Sequence, residues 1–229
     1  IVGTGNTGAA GAFLTLGIVY FIIMIIAAFQ YRVPADGWKP EGYEPPSEKE
    51  SASKMKTLNN VHINQALKTP QFYQLWIVLC FNVSAGIGVI GVAKTMMTEI
   101  FGSTPSGSDL ASLVTAGFAG TYVLMISVFN MCGRIIWASL SDYIGRKNTY
   151  HCFFVIGTLL YLSIPFTANA VSVNPSIMYL VMFYAATMII FTMYGGGFAT
   201  IPAYLADMFG TMHVGGIHGR LLTAWSTAG

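Results

Sequence analysis

Arg134 carries the sharpest chemical implication in this sequence. It ends a charge-free run over 110–133 and stands eight residues before Asp142. Eight helical residues rise about 12 Å, and the half-thickness of a bilayer's hydrocarbon is about 15 Å. If this run crosses a membrane, the Arg134 Cα lies well inside it, where a charge costs roughly 2.5–3.5 kcal/mol. Such a residue turns toward the protein interior or a water-filled cavity. Ser127, Asn130, Arg134, Trp137 and Ser141 recur at alternating spacings of three and four, one polar and aromatic stripe on a helix. The guanidinium offers a planar fork of donors that matches a carboxylate bidentately. Arg134 and Asn130 are therefore candidates for holding an anion. The plainer alternative is that Arg134 snorkels to the interface or pairs with a structural carboxylate. No acidic residue lies in the mid-membrane parts of the sequence to serve as that partner.

A second stripe, Tyr184, Thr187, Phe191, Tyr194 and Phe198, has the same spacing. Aromatics at helical spacing usually pack, but Tyr194 brings a hydroxyl and lies beside Gly195, Gly196 and Gly197, which suits a cavity wall. Those glycines, with Gly86, Gly88 and Gly91, read either as close helix packing or as bendable segments that open and close a path. The chemistry of an enzyme is missing. Acids are confined to loops and helix ends and no histidine is deep, so no partnered nucleophile or acid pair arises. Cys80, Cys132 and Cys152 sit in apolar runs without metal-ligand spacing. No metal, cofactor or nucleic-acid site is expected.

These residues need elements to hold them, and composition says what kind. Hydrophobic residues make up 54%, charged residues 9%, and mean hydropathy is +0.61. A soluble domain carries about 25% charged residues, so lipid must cover much of this surface. A net charge of +2, without basic tracts, argues against nucleic acid as a partner. Charge-free stretches at 1–31, 69–93, 110–133 and 148–206 are long enough to span, and Asn169, Asn174 and Pro175 divide the last into two. The expectation is an all-α polytopic membrane bundle with helices near 10–31, 72–100, 110–140, 148–168 and 176–206, and another beginning near Gly219.

Residues 32–70 hold Pro34, Pro40, Pro45 and Pro46 and most of the charges, and read as an aqueous linker ending in a short interfacial helix near Val61–Lys68, before Pro70. Arg32, Lys39, Lys49, Lys54, Lys56 and Lys68 lie in the linker, and alternate crossings bring Arg146, Lys147 and Arg220 to the same side. The positive-inside bias makes that side cytoplasmic. The chain starts at Ile1 in an apolar region, with no signal peptide, and reads as a piece of a longer protein.

The loop Ala138-Ser-Leu-Ser-Asp142-Tyr-Ile-Gly145-Arg146-Lys147 resembles the signature loop of the major facilitator superfamily, with Ala138 in place of the first glycine and Tyr143 in place of a basic residue. Arg32-Val-Pro with Gly37-Trp-Lys-Pro-Glu-Gly42 resembles the oxalate/formate antiporter-like branch. So do Asn130-x-x-Gly-Arg134-x-x-Trp137, Tyr194-Gly-Gly-Gly-Phe198-Ala-Thr-x-Pro202-Ala-Tyr-x-Ala-Asp207 and His218-Gly-Arg-Leu-Leu-Thr-Ala-Trp225.

The resemblance implies a fold of the major facilitator type. It makes 1–31 helix six, 32–70 the central loop, and 71–229 helices seven to ten with the start of eleven, the N-terminal half being absent. It implies a multi-pass protein of the plasma membrane (the inner membrane in a bacterium) that transports by alternating access. Asp142, Gly145, Arg146 and Lys147 become gating residues, with Arg220 grouped beside them, and the acid is expected to dock near the end of a neighbouring helix. Arg134 matches the branch's substrate arginine, Tyr194 and Phe198 its aromatic cage, and Trp225 the position of a second, lysine cation. Without that lysine a dianion is under-neutralised, so the expected substrate is a monocarboxylate such as lactate, pyruvate or formate. Oxalate/formate exchange and a facilitator for another substrate class remain the alternatives.

Overall fold

The computed structural model describes residues 8–32, 35, 38, 41–42, 57, 59–102 and 109–229. Every regular element among them is helical: α1 (Ala9–Gln30), α2 (Ile63–Ala66), α3 (Pro70–Phe101), α4 (Asp109–Leu113), α5 (Ala116–Ile144), α6 (Arg146–Val173), α7 (Ile177–Phe209), α8 (Val214–Leu221) and α9 (Thr223–Ala228). Five of these, α1, α3, α5, α6 and α7, are long and apolar enough to cross a membrane. The chain divides into two units, Ile1–Pro45 and Pro46–Gly229.

The first unit contributes α1, whose large side chains are exposed all round, from Phe13 to Phe29. A helix apolar on every face belongs in lipid or in the core of a large protein. Most of the expected linker, including its Arg32-Val-Pro and Gly37–Gly42 motifs, lies largely outside the described residues.

In the second unit the helix bounds differ from expectation for local reasons. The helix expected over 110–140 is interrupted at Val114 and Thr115. The Thr115 hydroxyl accepts from the Phe118 N–H (3.2 Å) and starts α5 afresh, which then runs on to Ile144. The helix expected to end at 168 continues to Val173, through Asn169. Pro165 and Pro202 lie inside α6 and α7, as spanning helices tolerate when neighbours meet the freed backbone groups. The helix expected near Gly219 begins at Val214 and breaks at Leu222 into α8 and α9.

α7 is the central element, buried along most of its length. Toward its C-terminal end, Ile201 and Leu205 pack with Phe72, Leu75 and Leu79 of α3 and Phe153 of α6. Toward its N-terminal end, Phe183 and Phe191 pack with Met97 and Phe101 of α3 and Tyr122 of α5. The outer faces stay apolar and exposed, as at Ile135, Val155 and Phe166. That pattern is costly in water and ordinary against lipid tails.

α5 and α7 touch through reciprocal glycines. A Cβ on Gly133 would lie 2.1 Å from the Thr192 carbonyl oxygen, and one on Gly195 would lie 2.1 Å from the Asn130 carbonyl oxygen. Gly196 faces the Trp137 ring and Gly197 the Asn82 amide. Close packing is thus what the Gly195–Gly197 run does here. Gly88 and Gly91, by contrast, face open space.

Candidate functional site

Arg134 follows Gly133, at the crossing of α5 and α7, and its side chain is exposed. The crossing fixes its surroundings. Asn130, one turn earlier, is half-buried against Gly195, and Trp137, one turn later, lies over Gly196. The Trp137 Nε1–H donates to Thr192 Oγ1 (3.1 Å), and its ring meets Phe153 edge-on at 4.9 Å. Ser141 is buried, its hydroxyl donating to the Ala138 carbonyl (2.7 Å). The polar stripe therefore divides by role. Trp137 and Ser141 hold helices together, whereas Arg134 is left open. Both ion pairs among the described residues belong to Arg146, and Arg134 has none.

Across from it, Tyr194 on α7 is 7% exposed, and its hydroxyl is within electrostatic reach of the Arg134 guanidinium. Its ring meets Phe198 edge-on at 5.3 Å, and Phe198 packs against Trp225 of α9 at 4.5 Å. Trp225 is itself 42% exposed. Tyr194, Phe198 and Trp225 thus form a run of ring contacts, with the Arg134 guanidinium within electrostatic reach of its Tyr194 end and Asn130 one turn from Arg134 on α5. Such a surface can hold a small anion by its charge and exclude water by its rings. The remainder of the second stripe does something else: Tyr184 packs on Tyr122 at 5.4 Å and Phe118 at 6.3 Å.

The expected gating residues gather at the junction of α5 and α6. Gly145 joins the two helices at φ +86°, a left-handed conformation open to glycine, and its N–H caps α5 by donating to the Ser141 carbonyl (3.1 Å). That turn aims Arg146 back along the bundle. Its Nη1 donates to the Ala138 carbonyl (3.4 Å) and to Ser141 Oγ, its Nη2 pairs with Asp142, and its Nε pairs with Asp207 Oδ2 at 3.4 Å.

This corrects the expected latch. Asp142 stays exposed and pairs within its own turn, and it is Arg146 that reaches the end of the neighbouring helix, at Asp207 of α7. Lys147 is exposed. Arg220 is not brought to this cluster; its Nη1 donates to Gly216 O of its own helix (3.3 Å).

Sequence reasoning missed Asp207 as a member, although its motif contains it. It is the only carboxylate of α7, sixty-one residues from Arg146. Asp207 also ties down the chain that precedes α2: its carbonyl accepts from the Thr57 N–H (2.8 Å), and the Phe209 carbonyl accepts from the Val61 N–H (2.8 Å). His218 of α8 has a buried Nδ1 with no partner among the described residues, and burial holds its pKa below the ordinary histidine value.

A family model for the Major Facilitator Superfamily matches residues 2–229. The chain is similar to the oxalate:formate antiporter of Oxalobacter formigenes, 30% identical over 227 residues, which are 96% of this chain and 46% of that protein. It is also similar to the uncharacterized MFS-type transporter YhjX of Escherichia coli (strain K12), 26% identical over 147 residues, 64% of this chain and 31% of that protein. The chain spans less than half the length of these curated relatives.

Proposed function

The chain belongs to the major facilitator superfamily, and from that membership we propose that the protein containing it is a secondary transporter of small carboxylate anions, monocarboxylates above all. It is a membrane protein, and both relatives are named as transporters rather than enzymes. The reading takes 1–31 as helix six, 32–70 as a cytoplasmic central loop and 71–229 as helices seven to ten with the start of eleven. Transport then requires the N-terminal half as well, the two halves rocking about a central anion site that faces each side in turn.

One observation carries the substrate class: a guanidinium without an ion-pair partner among the described residues, on a spanning helix, within electrostatic reach of the Tyr194 end of the Tyr194–Phe198–Trp225 wall. In this reading Arg134 binds the carboxylate, Asn130 and Tyr194 add polar contacts, and the rings of Phe198 and Trp225 exclude water. The Arg146–Asp207 pair, with Asp142 and Gly145, stabilises one conformation of the carrier.

Trp225 decides between one carboxylate and two. An uncharged indole packed on Phe198 supplies no second cation, and it fills space that a second carboxylate needs. The relative named as an oxalate:formate antiporter keeps the exchange of those anions as the second reading. Competition between labelled lactate and oxalate for uptake by proteoliposomes of the full-length protein separates them. Lactate uptake that resists oxalate supports the monocarboxylate reading, and Trp225→Lys then gains oxalate uptake. Preferred oxalate uptake by the unaltered protein refutes it.

A further inference from the structure

Gly86 lies on α3, on the face turned to α7, and a Cβ built there would stand 2.2 Å from Tyr194 Cδ2, 2.4 Å from Cε2 and 2.6 Å from Cγ. Carbon atoms in contact rest at about 3.5–4.0 Å. Even one methyl group on α3 is therefore incompatible with the present ring position, and the ring must withdraw by roughly 1 Å or more.

On one side the ring borders a cavity that Gly86, Asn82 and Met193 also line, and on the others it is part of the aromatic wall. Phe191 meets it at 6.1 Å and Phe198 at 5.3 Å, and Phe198 in turn leans on Trp225 at 4.5 Å. The hydroxyl at its tip is the part within electrostatic reach of Arg134. The bareness of Gly86 therefore sets both where the Tyr194 hydroxyl stands and how far the wall projects. The same helix offers its own comparison, since Gly88 and Gly91 have nothing within 4 Å of a Cβ. The requirement for glycine is local to the residue under the ring.

We propose that Gly86 is a positioning residue for the anion site: it is the notch that seats Tyr194, and so fixes the size of the substrate accepted beside Arg134. The proposal rests on the carboxylate-carrier reading. Under this proposal a ring driven out of the notch crowds the space beside the guanidinium, so the loss falls more heavily on a larger anion than on a smaller one.

The test measures KM and maximal rate for labelled formate and lactate in proteoliposomes of the full-length protein. Gly86→Ala is expected to raise the lactate KM about tenfold and the formate KM clearly less. Gly88→Ala is expected to change neither. Because the methyl acts only through the ring, Gly86→Ala combined with Tyr194→Ala is expected to be no worse than Tyr194→Ala alone.

Equal losses for formate and lactate, or multiplicative effects of the two substitutions, overturn the notch and leave the carrier reading standing. A Gly86→Ala protein with unchanged KM values does the same. Absence of any carboxylate uptake by the unaltered protein overturns the carrier reading, and the role of the notch in that site with it.

Discussion

Neutralising Asp207 should destabilise the protein far more than neutralising Asp142, although Asp142 is the acid of the signature loop. Both carboxylates pair with Arg146, but in different surroundings. The side chains of Arg146 and Asp207 are 12% and 17% exposed, whereas Asp142 is 61% exposed. At the 3.4 Å separation of Arg146 and Asp207, attraction at an effective dielectric of 20 amounts to about 5 kcal/mol, most of it offset by desolvation. Removing Asp207 leaves the largely buried Arg146 with only the exposed Asp142 as an ionic partner, a partly uncompensated charge that costs up to about 3 kcal/mol. An exposed pair contributes less than about 1 kcal/mol. Thermal unfolding of the full-length protein in detergent should therefore show Asp207→Asn lowering the midpoint at least about threefold more than Asp142→Asn. Removing both charges together, with Arg146→Met and Asp207→Leu, should be milder than Asp207→Asn alone, because no buried charge then loses its buried partner. Equal shifts, or a larger shift for Asp142→Asn, would refute the assignment of the anchor to Asp207.

Two further outcomes follow from the same packing and burial. Gly133→Ala places a methyl 2.1 Å from the Thr192 carbonyl oxygen, so α5 and α7 must separate; a loss of about 1–3 kcal/mol or more is expected, read as a lowered unfolding midpoint, whereas Gly120→Ala, facing open space, should leave the midpoint in place. His218 is held below its ordinary pKa by burial, so the folded state resists the proton that the unfolded chain accepts near pH 6.5. The stability it contributes is present above that pH and is lost as pH falls below it, and His218→Gln should flatten the slope of midpoint against pH between 7.5 and 5.5.

The spanning helices were legible in the sequence because lipid imposes a demand that composition alone expresses, some 20 apolar residues in a row. The ends were less legible because they are set by single hydrogen bonds. A lone Thr115 hydroxyl divides what hydropathy joins, and Asn169 looks like a turn residue but continues a helix. The stripe through Arg134 was correctly placed on one helix, but periodicity gives a face and not what lies against it. Trp137 finds Thr192 and Phe153 there, Ser141 finds Arg146, and Arg134 finds no ion-pair partner among the described residues. The convergence of Tyr194, Phe198 and Trp225 came from a resemblance rather than from spacing, since α7 and α9 are separated by α8 and by breaks on either side of it whose geometry no local rule supplies. The particular roles of Asp207 and Gly86 escaped the sequence reading for a common reason. Each acquires its meaning from a residue far away in sequence, Arg146 in one case and Tyr194 in the other.

The central claim is that Arg134 binds the transported anion and does not merely brace the bundle. Its most direct measurement is initial-rate uptake of labelled lactate by proteoliposomes of the full-length protein, unaltered and with Arg134→Gln, matched for folded protein by their unfolding midpoints. Abolished uptake with an unchanged midpoint is the predicted result. Normal uptake by Arg134→Gln, or a loss of uptake that merely follows a collapsed midpoint, contradicts it.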